Sequence, residues 1–536
     1  MRTTTRGSLV GIAALFVLAC TSDAVLLPPN FNASQVTHIM VKAGVTTGLT
    51  VRPLAGVQGG PVPTVTGDGD LTSFFVDVGV DVFRMPGGYL CDYALGSVFP
   101  DREAPVGAPE SYEFAALDKL FKGTSITEGF KPRVVVYQAF YDIDEDENCE
   151  VDANGVHTGQ PPEDIVQWSN VVTNVLRHLN ADLLISIKPE HAPWIPDALD
   201  ARVRYVEFVS RPMERGGYTD VADVLSDLGT FASAVKAAFP NANDGPRMHV
   251  VMPTMAIQDT ENFSAHPLVA LMDGLVATGV QDSVDVLSFA YEGSSVVQGR
   301  EVAIRLRQSL DERGLDHIAL WAGEYMPGGV LPKASDEDAV ALWSARSGAL
   351  SNALRIAWQG TLDEAIYARG DRRNLCLGTT CDALDVEESA LWSGTGAWRP
   401  AGVGWIPWQY LSGREAVDAS ISNEQATTAT WVLATKDQEG CAGAGNSGCG
   451  RVYVLIAQAG DPGGTESVSY LVKVAGLEAV AGSAKIVQVD RLSVTKDSTV
   501  PKLVDSHTIS LTDGVLTLSL DTTSPVTEFL LIKKGE

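Results

Sequence analysis

At 536 residues the chain is too long for one ordinary domain, and its length predicts two or three. A 45% apolar content supplies ample core material, while 39 basic against 67 acidic side chains leave a net charge of −28. A surface that negative repels nucleic acid and anionic membranes and argues against both as partners; the acidity itself serves solvation and colloidal stability.

The first twenty residues read as a signal peptide. Arg2 and Arg6 precede an apolar run over residues 9–18 that is too short to cross a bilayer and ends in Val17-Leu18-Ala19-Cys20. Those four residues resemble a bacterial lipobox, in which the cysteine becomes the lipidated first residue; the alternative is a simply cleaved secretory signal. Seven cysteines are present, and setting Cys20 aside leaves six, an even number suited to an oxidising compartment. Three bridges are predicted: Cys376 with Cys381, Cys441 with Cys449, and Cys91 with Cys149. Zinc is the weaker reading, because no histidines cluster near these cysteines. The implied address is an outer-membrane or cell-surface lipoprotein, otherwise a periplasmic or extracellular protein, with the lipid as its membrane contact. Oligomeric state is not legible.

After a tether over residues 21–35, residues 36–51 give a first strand pattern. Strands at 80–84, 132–140, 203–209, 248–253, 284–291, 317–321 and 362–369 then alternate with helices. The helices fall at 112–121, 165–179, 221–239, 267–278, 300–313 and 336–359, and an apolar run at 181–187 cannot be assigned. Such alternation implies a parallel sheet with helices outside, and roughly eight strands over about 340 residues favour closure into a (β/α)8 TIM barrel at 36–375. Residues 376–426 connect it to a second domain at 427–536. There, short alternating runs divided by Gly, Asp and Pro turns read as an antiparallel β-sandwich. The connector carries Trp392, Trp398, Trp405 and Trp408, which either line a sugar cleft or pack the domains together.

Two stretches carry the chemistry. Residues 203–217, VRYVEFVSRPMERGG, form a strand that breaks at Pro212 into a polar loop; residues 317–329, HIALWAGEYMPGG, place Glu324 at a strand end. Barrel strands present reacting groups at their carboxyl ends, so both stretches aim at one mouth, where a carboxylate suggests carbohydrate chemistry.

The order of motifs over residues 75–372 resembles glycoside hydrolase family 39, the β-xylosidase and α-L-iduronidase family of retaining (β/α)8 glycosidases. Asp81-Val82-Phe83-Arg84 is similar to the strand whose arginine supports the nucleophile, and Trp168 with His178-Leu179 to the helix before the acid/base strand. Tyr205-Val206-Glu207-Phe208-Val209-Ser210-Arg211-Pro212 is similar to the aromatic-Glu-x-Trp-Asn-Glu-Pro signature. Asp285-Val286-Leu287-Ser288-Phe289-Ala290-Tyr291 resembles the sixth strand, and Leu320-Trp321-Ala322-Gly323-Glu324-Tyr325 the Thr-Glu-Trp nucleophile strand. The resemblance implies Glu324 as nucleophile. It departs from the family at Ser210-Arg211, where the Asn-Glu pair would stand, and at Ala290, the position of a histidine. Expected substrate contacts are Arg84, Ser210, Arg211, Tyr291, Tyr325, Trp405 and Trp408.

Retaining hydrolysis needs two carboxyl groups about 5–5.5 Å apart. Arg211 cannot supply the acid, because a guanidinium keeps its proton at working pH; it is expected to pair with Glu324. Candidate acids are Glu214, three residues on in the same loop, and Glu292, which follows Tyr291. Glu207, four residues before Arg211, is expected to point into the barrel below the substrate. Each of these carboxylates also reads as a plain ion-pair partner. The acidic loop from Asp142 to Asp152 has oxygen ligands at alternate positions, as calcium loops do, but Glu147 stands where the EF-hand glycine would be. A solvated loop is the blander reading, and no other cofactor is expected. The function expected is a glycoside hydrolase, alternatively a catalytically inactive carbohydrate-binding lipoprotein, with a structural envelope protein as the third reading.

Overall fold

The computed structural model describes residues 36–58, 72–85, 98–122, 132–139, 160–180, 203–214, 216–240, 247–327, 336–368, 391, 397–422, 430–437, 450–460 and 465–535. The signal segment with Cys20, the six cysteines of the predicted bridges, the 142–152 loop, the 181–187 run and Trp392 lie outside the described residues.

The strands of the first half are β1 (Val36–Thr50), β2 (Gly56–Gln58), β3 (Val82–Met85), β4 (Val134–Gln138), β5 (Tyr205–Glu207), β6 (His249–Val251), β7 (Met255–Ala256), β8 (Val286–Tyr291), β9 (Ala319–Tyr325) and β10 (Glu364–Tyr367). Eight of them close a parallel ring in the order β6-β5-β4-β3-β2-β10-β9-β8, and Val251 of β6 pairs with Val286 of β8 to complete it. Alternate residues face inward and outward. Val82, Val134, Val136, Val251, Val286, Trp321 and Ile366 make an inner apolar layer, while Phe83, Val135, Val206, Leu287 and Leu320 join the core beneath the helices.

Those helices are α1 (Thr72–Asp77), α2 (Ala115–Lys122), α3 (Ile165–Leu179), α4 (Val221–Ala238), α5 (Pro267–Thr278), α6 (Val296–Glu312) and α7 (Glu337–Ala357). Local signals fix their ends. The Asp164 side chain accepts from the Val166 and Gln167 amides to start α3. Pro267 opens α5 and Gly279, at φ 74°, closes it. Among the described residues, no helix is long and apolar enough to cross a membrane.

The strand expected to open the barrel belongs elsewhere. β1 pairs antiparallel with β11 (Glu415–Ile421) and parallel with β14 (Glu466–Ala475), and the barrel opens with the three residues of β2 instead. A period of two shows that one face is buried but not against which partner. Strands β12 (Thr430–Lys436), β13 (Val452–Gln458), β15 (Ile486–Val494), β16 (Asp505–Ser510), β17 (Leu516–Ser524) and β18 (Val526–Lys534) complete a nine-stranded sheet in the order β16-β15-β18-β13-β12-β11-β1-β14-β17. This sheet is continuous and wraps one core that includes Ile39, Val454, Val472 and Leu530. The faces of the expected antiparallel sandwich are thus halves of one mixed sheet. Helix α7 packs against β12, β13 and β18 and joins the two halves of the molecule.

Candidate active site

Parallel strands put all their carboxyl ends on one side of the ring, and the predicted acidic positions gather there. Deepest is Arg84 on β3, fully buried. Its Nε and Nη2 donate to the two oxygens of Glu207 at 2.7 and 2.8 Å, Nη1 donates to Gln58 at 2.7 Å, and Nη2 also reaches Ser210 Oγ at 3.2 Å. Glu207 in addition accepts the Thr254 hydroxyl at 2.6 Å. Glu207 therefore points into the barrel as expected. Arg84, expected to partner Glu324, is bonded to Glu207 and lies 3.9 Å from Glu324.

Glu324 reaches the interior through a bulge. Alternation along β9 puts Trp321 inside, and Glu324 would then face the helices with Leu320 and Ala322. The pairing of β8 with β9 jumps from Phe289–Ala322 to Ala290–Glu324, so Gly323 is the extra residue. A Cβ on Gly323 would sit 1.9 Å from Ser288 Oγ and 3.0 Å from Thr254 Oγ1, so only glycine fits without displacing the barrel interior. The bulge turns Glu324 inward and returns Tyr325 to the helix layer.

Arg211 sits between the acids. It is a non-glycine residue at φ 49°, a conformation that costs roughly 1–3 kcal/mol and must be imposed by its surroundings. Its amide donates to the Thr254 carbonyl at 2.7 Å, and its own carbonyl accepts from the Glu214 and Gly216 amides. Its guanidinium, 4% exposed, donates from Nη1 to Glu214 at 3.2 Å, from Nη2 to Glu324 at 3.0 Å, and from the same Nη2 to Glu292. Two carboxylate oxygens on one nitrogen lie within about 6 Å of each other, the sum of two hydrogen bonds. The expected pairing of Arg211 with Glu324 is present, and both candidate acids share it.

Four expected substrate contacts lie elsewhere. The Tyr291 hydroxyl donates to the Ser295 carbonyl, the Tyr325 hydroxyl bonds Ser351 Oγ at 2.9 Å, and both rings meet Trp358 edge-on in the helix layer. Burial pushes the Tyr291 hydroxyl up to about 12 and raises that of Tyr325 as well. Trp405, in α8 (Pro400–Trp405), and Trp408, opening α9 (Trp408–Leu411), are buried where the barrel meets the second sheet. The Arg355 guanidinium lies 4.5 Å from one of these rings and 4.0 Å from the other, and Trp408 donates to Asn352 at 2.9 Å. An aromatic face suits a guanidinium as well as a sugar, so composition did not separate the two uses. Thr254 and Gly323 were not foreseen in these roles; a glycine inside a strand pattern was the available signal.

No family model and no curated protein sequence matches the chain. Solved structures do. A glucosidase from Croceicoccus marinus superposes with TM-score 0.65 at 18% identity, covering 94% of this chain and 100% of that one. The GH39 enzyme from Xanthomonas axonopodis pv. citri gives 0.62 at 13%, covering 95% and 100%. A monomeric β-xylosidase from Caulobacter crescentus CB15 gives 0.61 at 12%, covering 93% and 100%. The chain shares the fold of these glycosidases. The likeness takes in the barrel and the second sheet alike.

Proposed function

We propose that this chain binds a saccharide in the barrel mouth and hydrolyses its glycosidic bond with retention. Glu324 attacks the anomeric carbon and Glu292 protonates the leaving oxygen. The observation that carries this reading is the convergence of Glu324 and Glu292 on one guanidinium nitrogen, which keeps their oxygens no more than about 6 Å apart, a limit compatible with the separation of a retaining pair. Glu214, 43% exposed, completes the cage around Arg211. Kinetics on aryl glycosides test the assignment. Glu324→Ala should abolish turnover of activated and poor leaving groups alike. Glu292→Gln should spare kcat/KM on dinitrophenyl substrates, whose departure needs no acid, while losing about 10²-fold or more on alkyl ones. It should also lower kcat, because Glu292 activates the water that frees the sugar from Glu324.

A second reading, favoured by Arg211 standing between the acids, is saccharide capture without cleavage. It would be supported by glycan binding that survives Glu324→Ala together with no turnover of any activated substrate. We further propose export with lipidation at Cys20 and three bridges among the remaining cysteines, on the strength of the signal pattern and cysteine parity. Palmitate labelling lost in Cys20→Ala, and a mass six protons lighter than the reduced chain, are the expected results.

A further inference from the structure

The opposite end of the barrel holds a cavity of about 620 Å³ that the proposed chemistry does not use. It opens at the amino ends of the strands, lined by the first residues of β5, β6, β8, β9 and β10 and by those just before them. This volume suits a molecule of sugar or small organic acid size. Aromatic rings are among its lining: Tyr205 stacks on His249 at 4.7 Å and 18°, and the buried Trp321 lies 4.9 Å from Tyr205.

Charge in the cavity is layered. Two of its carboxylates lie deep, with the Glu364 side chain 9% and the Asp285 side chain 14% exposed, while the third, Asp363, is 34% exposed and paired with Arg52. The guanidinium groups lie outside them, with Arg52, Arg133 and Arg247 side chains 51%, 53% and 62% exposed. The three guanidinium groups are more exposed than the acids they pair with. Each guanidinium also keeps donors in reserve: Arg247 bonds Asp285 through Nη2 alone, and Arg52 bonds its partners through Nη1 alone, out of five N–H groups. Burial, aided by Asp81 and opposed by Arg133, pushes the Glu364 carboxyl up to about 7, so part of the deep negative charge is absent at neutrality. On a chain of net charge −28 this is an uncommon concentration of outward-facing cations.

We propose that this cavity is a second binding site, for a small anion that carries a carboxylate or phosphate on a ring-sized body. The guanidinium rim takes the charged group, and the aromatic wall takes the body.

Calorimetric titration of the full-length protein at low salt, with glucuronate, citrate, inorganic phosphate and uncharged glucose, tests it. At least one anion should bind saturably in a way that Arg247→Ala weakens, whereas any glucose binding, which would report the mouth, should be unmoved by that variant; the preference between glucuronate and phosphate names the charged group. Binding should weaken about tenfold or more in Arg247→Ala. It should weaken similarly in His317→Glu, which lines the cavity, is exposed, and has no ion-pair partner among the described residues, so this variant puts an acid on the rim without breaking a contact. Glu324→Gln, at the other end of the barrel, should bind the anion unchanged. No saturable binding of any anion, binding unmoved by both rim variants, or binding lost in Glu324→Gln would each overturn the proposal.

Discussion

Arg211 in the barrel mouth and Arg355 at the junction of the two halves are both buried guanidinium groups, and they are satisfied in opposite ways. Arg355 has no carboxylate in ion-pair reach among the described residues. Its Nε donates to the Pro53 carbonyl at 3.0 Å, two indole faces cover it, and burial, only partly offset by Tyr325 and Asp81, lowers it to about 9. Arg211 has three carboxylates, more than one cation can neutralise. The surplus of acid around Arg211 makes sense where those acids have a further task.

Substitutions at four positions break or sharpen this contrast. Arg84→Met should be costliest, about 3–5 kcal/mol in urea denaturation, because it strands the Glu207 carboxylate at 1% exposure. A loss below about 1 kcal/mol would show that the deep pair is dispensable. Arg355→Ala should cost about 2–4 kcal/mol, and Arg355→Lys should recover less than half, since an ammonium lacks the planar face that stacks between two indoles.

Arg133 with Glu364 is intermediate, a partly solvated cation on a buried acid. Glu364 rises from 4.5 to about 7 on folding, so the folded state holds the proton more tightly and stability falls as pH climbs through that window. Glu364→Gln should therefore gain roughly 3 kcal/mol over the parent at pH 8 and almost nothing at pH 4. An equal effect at both values would contradict the assignment. Arg211→Gly should matter least to stability, within about 1 kcal/mol, because relief of the positive φ offsets ion pairs to the part-exposed Glu214 and Glu292, and the buried Glu324 keeps Arg84 at 3.9 Å. If it costs as much as Arg355→Ala, the mouth arginine is structural too and the surplus-acid argument fails.

Much of the barrel was legible because local chemistry wrote it. The Asp164 cap fixes the start of α3, and Pro267 and Gly279 bracket α5. That Glu214, Glu292 and Glu324 share one mouth with Arg211 was legible from strand ends together with the family resemblance; that both Glu214 and Glu292 bond Arg211 was not. What local pattern could not carry was partnership. β1 alternates like any half-buried strand, and only its pairing with segments nearly 400 residues away assigns it to a sheet. β2, at three residues, is too short for a period to register. The tyrosines at 291 and 325 were expected to contact substrate, yet alternation in β8 and the bulge at Gly323 send their rings to the helix layer.

Because β1 sits between β11 and β14, the barrel is spliced into the sheet module rather than strung before it. During synthesis the earliest strand must wait for the last third of the chain before its neighbours exist. A barrel cut free after residue 411 would carry an orphaned sticky ribbon at its front, and the sheet module cut free from residue 415 would lack a central stave. Any graft that moves one module to another protein has to cut the chain on both sides of the barrel.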